Sequence, residues 1–542
     1  MKEKFLFWKT GSWTFALLLV FPILAIFVTA MGNSDDVFSH LLNTVMPTYA
    51  FNTVGLVIGT VLLSLCFGLP AAWFMAMCRL PGEKILQWAL VLPLAMPGYI
   101  VGYLYTNWFD YAGPIQILLR DIFGWQHVSD YWFPDLRTLG GACFVLALVL
   151  YPYIYLLVRA AFMEQSVSLL QSARLLRCTP WESFRRISLP LARPAIAVGV
   201  SLVAMEALGD FGTVSYFAVN TLTTAVYDTW LGYSNLYAAA KISAIMLLVI
   251  FFLISSERFS RRKQKMFQHQ CDNDGDYKYQ LTGWKKWFAL VWCWSLVGSA
   301  FILPVLQLGY YAVDYFSQSW TPEFQQYSIN SLLVSVSAAV IAVILGLLVN
   351  FYRRLDGRGL SQMPIRLSSL GYAVPGTVLA IGVMIPLTSM DHLVNDIAIS
   401  LGLGRPGLIF SGTIFAIVFA FVVRFAAVAI GSIETSLTKI SPSLDMASKT
   451  MGYGSTAMLR KVHLPLIRRG CLIAGLLVFI ESMKELNAAL LLRPFNFETL
   501  ATYVFNFASD EQLEIAALPA ILLVAVGLIP LVLVNRSLEQ KN

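Results

Sequence analysis

Four carboxylates stand where carboxylates are costly. Glu206, Asp210, Glu481 and Glu485 fall within long apolar runs. An ionisable group at such a depth in a membrane usually faces a polar interior or a partner. Glu206 and Asp210 are one helical turn apart, as are Glu481 and Glu485, so each pair would share a helix face. Glu206 is expected about eleven residues, or roughly 16 Å, from the start of its span, near the bilayer centre. Carboxylate oxygens are hard donors and suit a hard cation. The four are therefore candidates for a path that carries positive charge. The competing reading has them tie helices together, through Lys484 or tyrosine hydroxyls. The five histidines and seven cysteines show no HExxH and no CxxC, which points away from a resident zinc site or a disulfide framework.

A second group of residues is basic. LLQSARLLRCTPWESFRRISLPLARPAI, residues 169–196, carries five arginines between two apolar runs. Thr179 is a good helix N-cap, Pro180 suits the first helical position, and Glu182 completes a capping box. A short basic helix should follow, with Trp181 and Phe184 exposed beside Arg185 and Arg186, and with Pro190 ending it. Such a helix either lies on anionic headgroups or serves as a knob for a cytoplasmic partner.

These residues need a scaffold, and composition says which kind. Of 542 residues, 58% are apolar and only 13% charged; mean hydropathy is +0.68. Runs long enough to cross a bilayer recur along the chain. The expected fold is an all-α polytopic membrane protein of about twelve spans, near 13–31, 53–78, 87–109, 139–162, 195–218, 237–256, 287–312, 330–352, 367–390, 408–433, 471–492 and 515–534. The N-terminus resembles a signal peptide, but its apolar run is long and reads as an uncleaved first span. Thirty of the 38 Lys and Arg fall in alternate segments counted from the N-terminus. The excess of basic residues marks the cytoplasmic side, so both ends are expected inside. The charge of +7 is thereby accounted for without nucleic acid.

The basic loop has a second copy. Gln171–Arg177 and Ile187–Pro190 match Met446–Gly452 and Val462–Pro465 at an offset of 275 residues. Glu206 and Asp210 map onto Glu481 and Glu485 at that offset, and Met96-Pro-Gly98 maps onto Val374-Pro-Gly376 at 278. The chain therefore reads as two tandem six-helix repeats. The first covers 1–256 with its loop at 163–194. A polar linker follows at 257–286. The second repeat covers 287–542 with its loop at 434–470. Equal spacing of two loops favours the knob, because two equivalent knobs suit a partner of two-fold symmetry.

Both loops resemble the signature E-A-A-x3-G-x9-I-x-L-P of bacterial ABC importer permeases. The fused twelve-span layout is similar to ferric-iron permeases of the binding-protein-dependent type. Tyr216–Tyr227 and Lys484–Ala501 add to the resemblance, which covers nearly the whole chain. It implies a bacterial inner-membrane permease and a coupling helix in each loop. The coupling residues would be Ala173, Arg177, Thr179, Pro180, Trp181, Phe184, Arg185, Arg186, Leu189 and Pro190, with Ala447, Gly452, Tyr453, Leu464 and Pro465 in the second loop. It implies two copies of a cytoplasmic ATP-binding subunit and a periplasmic iron-binding protein as partners. No cofactor is expected on this chain, which has no GxxxxGK[ST] phosphate loop; the partner would use the ATP. Arg177 stands where the family has glycine, and Gln171-Ser172 and Met446 also depart from the signature. A permease for thiamine or another small organic cation shares this layout. A secondary transporter would not need two such loops, and no nucleophile–base pair marks an enzyme.

Overall fold

The computed structural model describes residues 2–34, 36–165, 171–172, 175–262, 278–357 and 359–539. Among these, ten helices are long and apolar enough to cross a membrane. Of the remaining two expected spans, the twelfth lies within the helix Leu513–Glu539, and the third takes another form: Glu83–Ala95 with Gly98–Phe123 makes a pair bent by 93°. The bend falls at Met96-Pro97, both extended in backbone. Proline has no N–H to continue the ladder and pushes the residue before it out of helix. The third expected span is thus not a straight rod.

Outer helix starts are capped alike in the two halves. The Thr138 hydroxyl accepts from Gly141 N at 3.2 Å, and the Thr413 hydroxyl accepts from Phe415 N at 3.3 Å. The offset also holds for whole elements: Leu139–Met163 recurs as Ile414–Thr438, and Leu189–Gly209 as Leu464–Lys484. Helix pairs approach closely through small residues, as helices in lipid do. A Cβ at Gly68 would lie 2.8 Å from the Tyr151 carbonyl, which fixes the contact between the spans Met46–Met77 and Leu139–Met163.

The packing cores exchange helices. One core joins Leu56, Tyr99–Leu104, Val145–Ile154 and Val203 of the first half to Ala289–Ala312 and Leu513–Val524 of the second. The other joins Val334–Val383 and Ala416–Ile433 to Leu19, Ile23 and Ile26 of the first span and to Ala239–Ile250 of the sixth. Each core is built from the middle spans of one half and the outermost spans of the other. The two halves of the sequence are therefore not two packing units. The linker end takes part in this exchange, since Cys78–Arg79 pairs in parallel with Tyr279–Gln280 and Lys278 forms an ion pair with Glu83.

Candidate translocation pathway and coupling loops

Two expected spans break in the middle, and the cavity lies at the breaks. The fifth span, Pro180–Gly209, stops at Asp210, and a short helix Gly212–Tyr216 restarts. The eleventh, Ser455–Lys484, stops at Glu485 and restarts as Asn487–Leu492. The continuous helices expected over 195–218 and 471–492 are thereby corrected. Asp210 and Glu485 do not continue the helix face of Glu206 and Glu481. Both have extended backbone and cap the next helix. Asp210 accepts from Thr213 N at 3.0 Å, Val214 N at 3.1 Å and the Thr213 hydroxyl at 3.0 Å. Glu485 accepts from Ala488 N at 3.1 Å and from Arg424 Nη1 at 2.9 Å. A side-chain oxygen at a helix start satisfies otherwise orphaned N–H groups. For these two residues the helix-tying reading describes what the side chains do.

All four carboxylates nevertheless line one cavity of about 160 Å³. Tyr99, Tyr153, Tyr372, Asn487, Arg424 and Lys484 line it with them. Glu206 makes no hydrogen bond or ion pair to a described residue; Arg424 and Lys484 line the cavity with it. Glu481 is 3.7 Å from the Lys484 ammonium, which also donates to the Leu94 carbonyl at 3.2 Å. Tyr99 is 4% exposed, and its buried hydroxyl has no partner among the described residues. Asn487 donates to the Gly209 carbonyl at 2.9 Å, joining the two breaks. A Cβ at Gly376 would collide with Glu485 and Arg424, so glycine there makes room for that ion pair. Four carboxylates against two cations leave the cavity formally negative.

A second cavity, of about 370 Å³, adjoins the first and shares Leu94, Tyr153, Tyr372, Glu481 and Lys484 with it. Its other lining residues include Gln87 and Arg159, which lie near the cytoplasmic ends of their helices. Arg159 donates to Gln87 Oε1 at 2.6 Å. Arg424 and Lys484 have no charged counterpart at the offset of 275, where Val149 and Gly209 stand. The sequence offered Lys484 as a possible tie for the carboxylates and gave Arg424 no role. Their pairing with Glu485 and Glu481 needed the fold.

The loops keep their expected start. Thr179 accepts from Glu182 N at 3.3 Å, and Glu182 accepts from Thr179 N at 2.9 Å, completing the capping box. Pro190 does not end the helix. A wide π turn over Phe184–Ser188 joins Pro180–Ser183 to Leu189–Gly209, so Pro180–Gly209 is one rod. The wider turn absorbs the bond and the space that a proline removes from a helix. The second loop repeats it, with a π turn over Leu459–His463 before Pro465. Trp181 is 68% exposed. Phe184 instead turns inward, its ring 4.9 Å from Trp73, so it is not an exposed knob residue. Arg177, Thr179, Pro180, Arg185 and Arg186 are exposed, and Leu189 and Pro190 are half-buried. In the second loop Ala447, Gly452, Leu464 and Pro465 are exposed and Tyr453 is half-buried. Ala173 lies outside the described residues. Arg177 makes the turn in left-handed backbone, φ 57°, where Gly452 has φ 77°.

The second loop is anchored by residues that sequence reading passed over. Asp445 accepts from Arg354 Nε at 2.7 Å and lies 2.7 Å from His463 Nε2. Arg354 also donates to the Leu437 and Ile440 carbonyls at 2.6 and 3.0 Å. Burial works against the Asp445 charge, but the bonds to Arg354 and His463 outweigh it and hold the carboxyl below its ordinary range. At His463's place the first half has Ser188, whose carbonyl accepts from Gln165 at 3.0 Å.

Broken spans around a charged cavity, with two matched loops on the basic side, define a polytopic transport permease. The family described as binding-protein-dependent transport system inner membrane component matches residues 68–265. The molybdenum transport system permease protein ModB of Escherichia coli is 33% identical over 213 residues, 38% of this chain and 90% of that one. The Fe(3+)-transport system permease protein FbpB 2 of Haemophilus influenzae is 25% identical over 527 residues, 96% of each chain. The ferric transport system permease protein FbpB of Actinobacillus pleuropneumoniae is 23% identical over 456 residues, 80% of this chain and 63% of that one. The chain belongs to the family of binding-protein-dependent transport system inner membrane components. It is a multi-pass inner-membrane protein.

Proposed function

We infer that the chain is the membrane permease of an ATP-driven importer that moves ferric iron delivered by a periplasmic binding protein. The observation that carries the substrate is full-length similarity to a protein named for Fe(3+) transport, matched over 96% of both chains. The formally negative cavity supports it, with Glu206 uncompensated by any direct partner among the described residues and oxygen donors that suit a hard cation. Glu206 and Glu481 are the path residues in this reading, while Asp210 and Glu485 shape the breaks beside them.

The two loops are the contacts for two cytoplasmic ATP-binding subunits. Continuity of each loop helix with a broken span supports this, because movement at Trp181, Arg185 or Arg186 reaches Glu206 along one rigid rod. The ATP is used by those subunits. The test is uptake of radiolabelled ferric iron by cells with and without the gene, with excess unlabelled thiamine as competitor. Uptake that is lost on deletion, restored by the gene and indifferent to thiamine is the expected result. Iron uptake unaltered by deletion would contradict the substrate.

A further inference from the structure

Lys484 stands where the central and the inner cavity adjoin, and it lines both. Its ammonium is held loosely, by the Leu94 carbonyl at 3.2 Å and by Glu481 at 3.7 Å. The other cation, Arg424, is held tightly: it bonds Glu485 at 2.9 Å and is confined against Gly376. A lysine is a compact charge on a flexible stem, whereas an arginine fork is pre-organised. Of the two positive charges in the cavity, only Lys484 is built to move. Its counterpart in the first half is Gly209, so there is one such charge and not a symmetric pair.

We propose that Lys484 is a tethered counter-cation. Its ammonium occupies the cation position beside Glu481 while the cavity is empty, and an arriving cationic cargo displaces it toward the inner cavity. Two like charges a few Å apart in a poorly hydrated space repel strongly, so cargo and ammonium do not share the site. When the cargo leaves, the ammonium returns. Glu481 then does not face the empty cavity without a cation beside it. The inference rests on the reading of the cargo as a cation.

The test uses the full chain in lipid nanodiscs, with Lys484→Met to remove the charge at similar length and Lys484→Arg to keep it. Retention of radiolabelled iron supplied as ferric nitrilotriacetate gives affinity, and uptake into cells gives turnover. Lys484→Met is expected to bind ferric iron about tenfold more tightly, since a competing charge is gone, and to transport it more slowly, since tighter binding without a matching gain at the barrier slows release. Lys484→Arg should retain iron like the wild type. A damaged fold does not produce a gain in affinity, so the direction of change separates this role from a structural one. Unchanged retention in Lys484→Met, beside normal wild-type iron uptake, overturns the counter-cation and leaves the iron reading standing. Weaker retention in Lys484→Met, with Lys484→Arg at the wild-type level, also overturns the counter-cation, because the ammonium would then hold the site together instead of competing for it.

Discussion

The two spans that break at the cavity are one design with different charges. Each ends at an acidic residue that caps a short helix, Asp210 in one and Glu485 in the other. Each is entered through a π turn from a cytoplasmic loop. The first-half break contents itself with backbone and hydroxyl donors. The second adds Arg424 and Lys484, and its loop adds the Arg354–Asp445–His463 anchor. Both halves keep the backbone device, while the cations and the anchoring stand, among the described residues, in the second half alone. The second half holds and balances charge, and the first half presents the unpaired Glu206 to it.

If that division is right, deleting a second-half charge should cost far more than changing its first-half counterpart. Arg424→Met leaves Glu485 buried without its ion pair and is expected to destabilise the protein by about 3–5 kcal/mol. Val149→Ala at the matching place should cost only about 1 kcal/mol. Thermal unfolding of both in the same detergent checks the contrast, and equal losses would break it.

The loop anchors should differ next. Asp445→Asn removes a charged acceptor from Arg354 and His463 and should cost about 1–3 kcal/mol. Because Asp445 is held below its ordinary range, its contribution is complete above the ordinary aspartate pKa of about 3.9. It is lost as pH falls further, through the depressed value. Limited proteolysis of the loop between pH 3 and 7, at about half-unit steps, should show the second loop opening at the acid end in the wild type, with that acid step missing from Asp445→Asn.

Much of this was legible locally. The capping box at Thr179 and Glu182, the charge asymmetry of the loops and the constant offset are all properties of neighbouring residues or of counting. The break at Asp210 was not read, because an apolar stretch continues on both sides and masks the cap signal of Asp210 between Gly209 and Gly212. Phe184 read as exposed because it follows Trp181 on a basic helix, yet Trp73 from a distant span covers it. Arg424 and Glu485 are far apart in sequence and meet only once the span Ile414–Thr438 is packed against the eleventh. The exchange of end helices between cores has no local signature at all.

The smallest expected effect is at the turn. A non-glycine residue in left-handed backbone costs roughly 1 kcal/mol, so Arg177→Gly should stabilise the first loop by about that amount. Gly452→Arg should destabilise the second by a similar amount. Hydrogen exchange in the two loops measures both, and no change in either would remove backbone strain from the comparison.

Cargo that crosses the central cavity passes between Glu206 and Glu481 in the proposed path. The direct measurement is uptake of radiolabelled ferric iron by Glu206→Gln combined with Glu481→Gln, with copurification of the ATP-binding subunit measured on the same membranes. Uptake reduced about tenfold or more, with copurification intact, is expected. Unchanged uptake in the double variant would contradict the path.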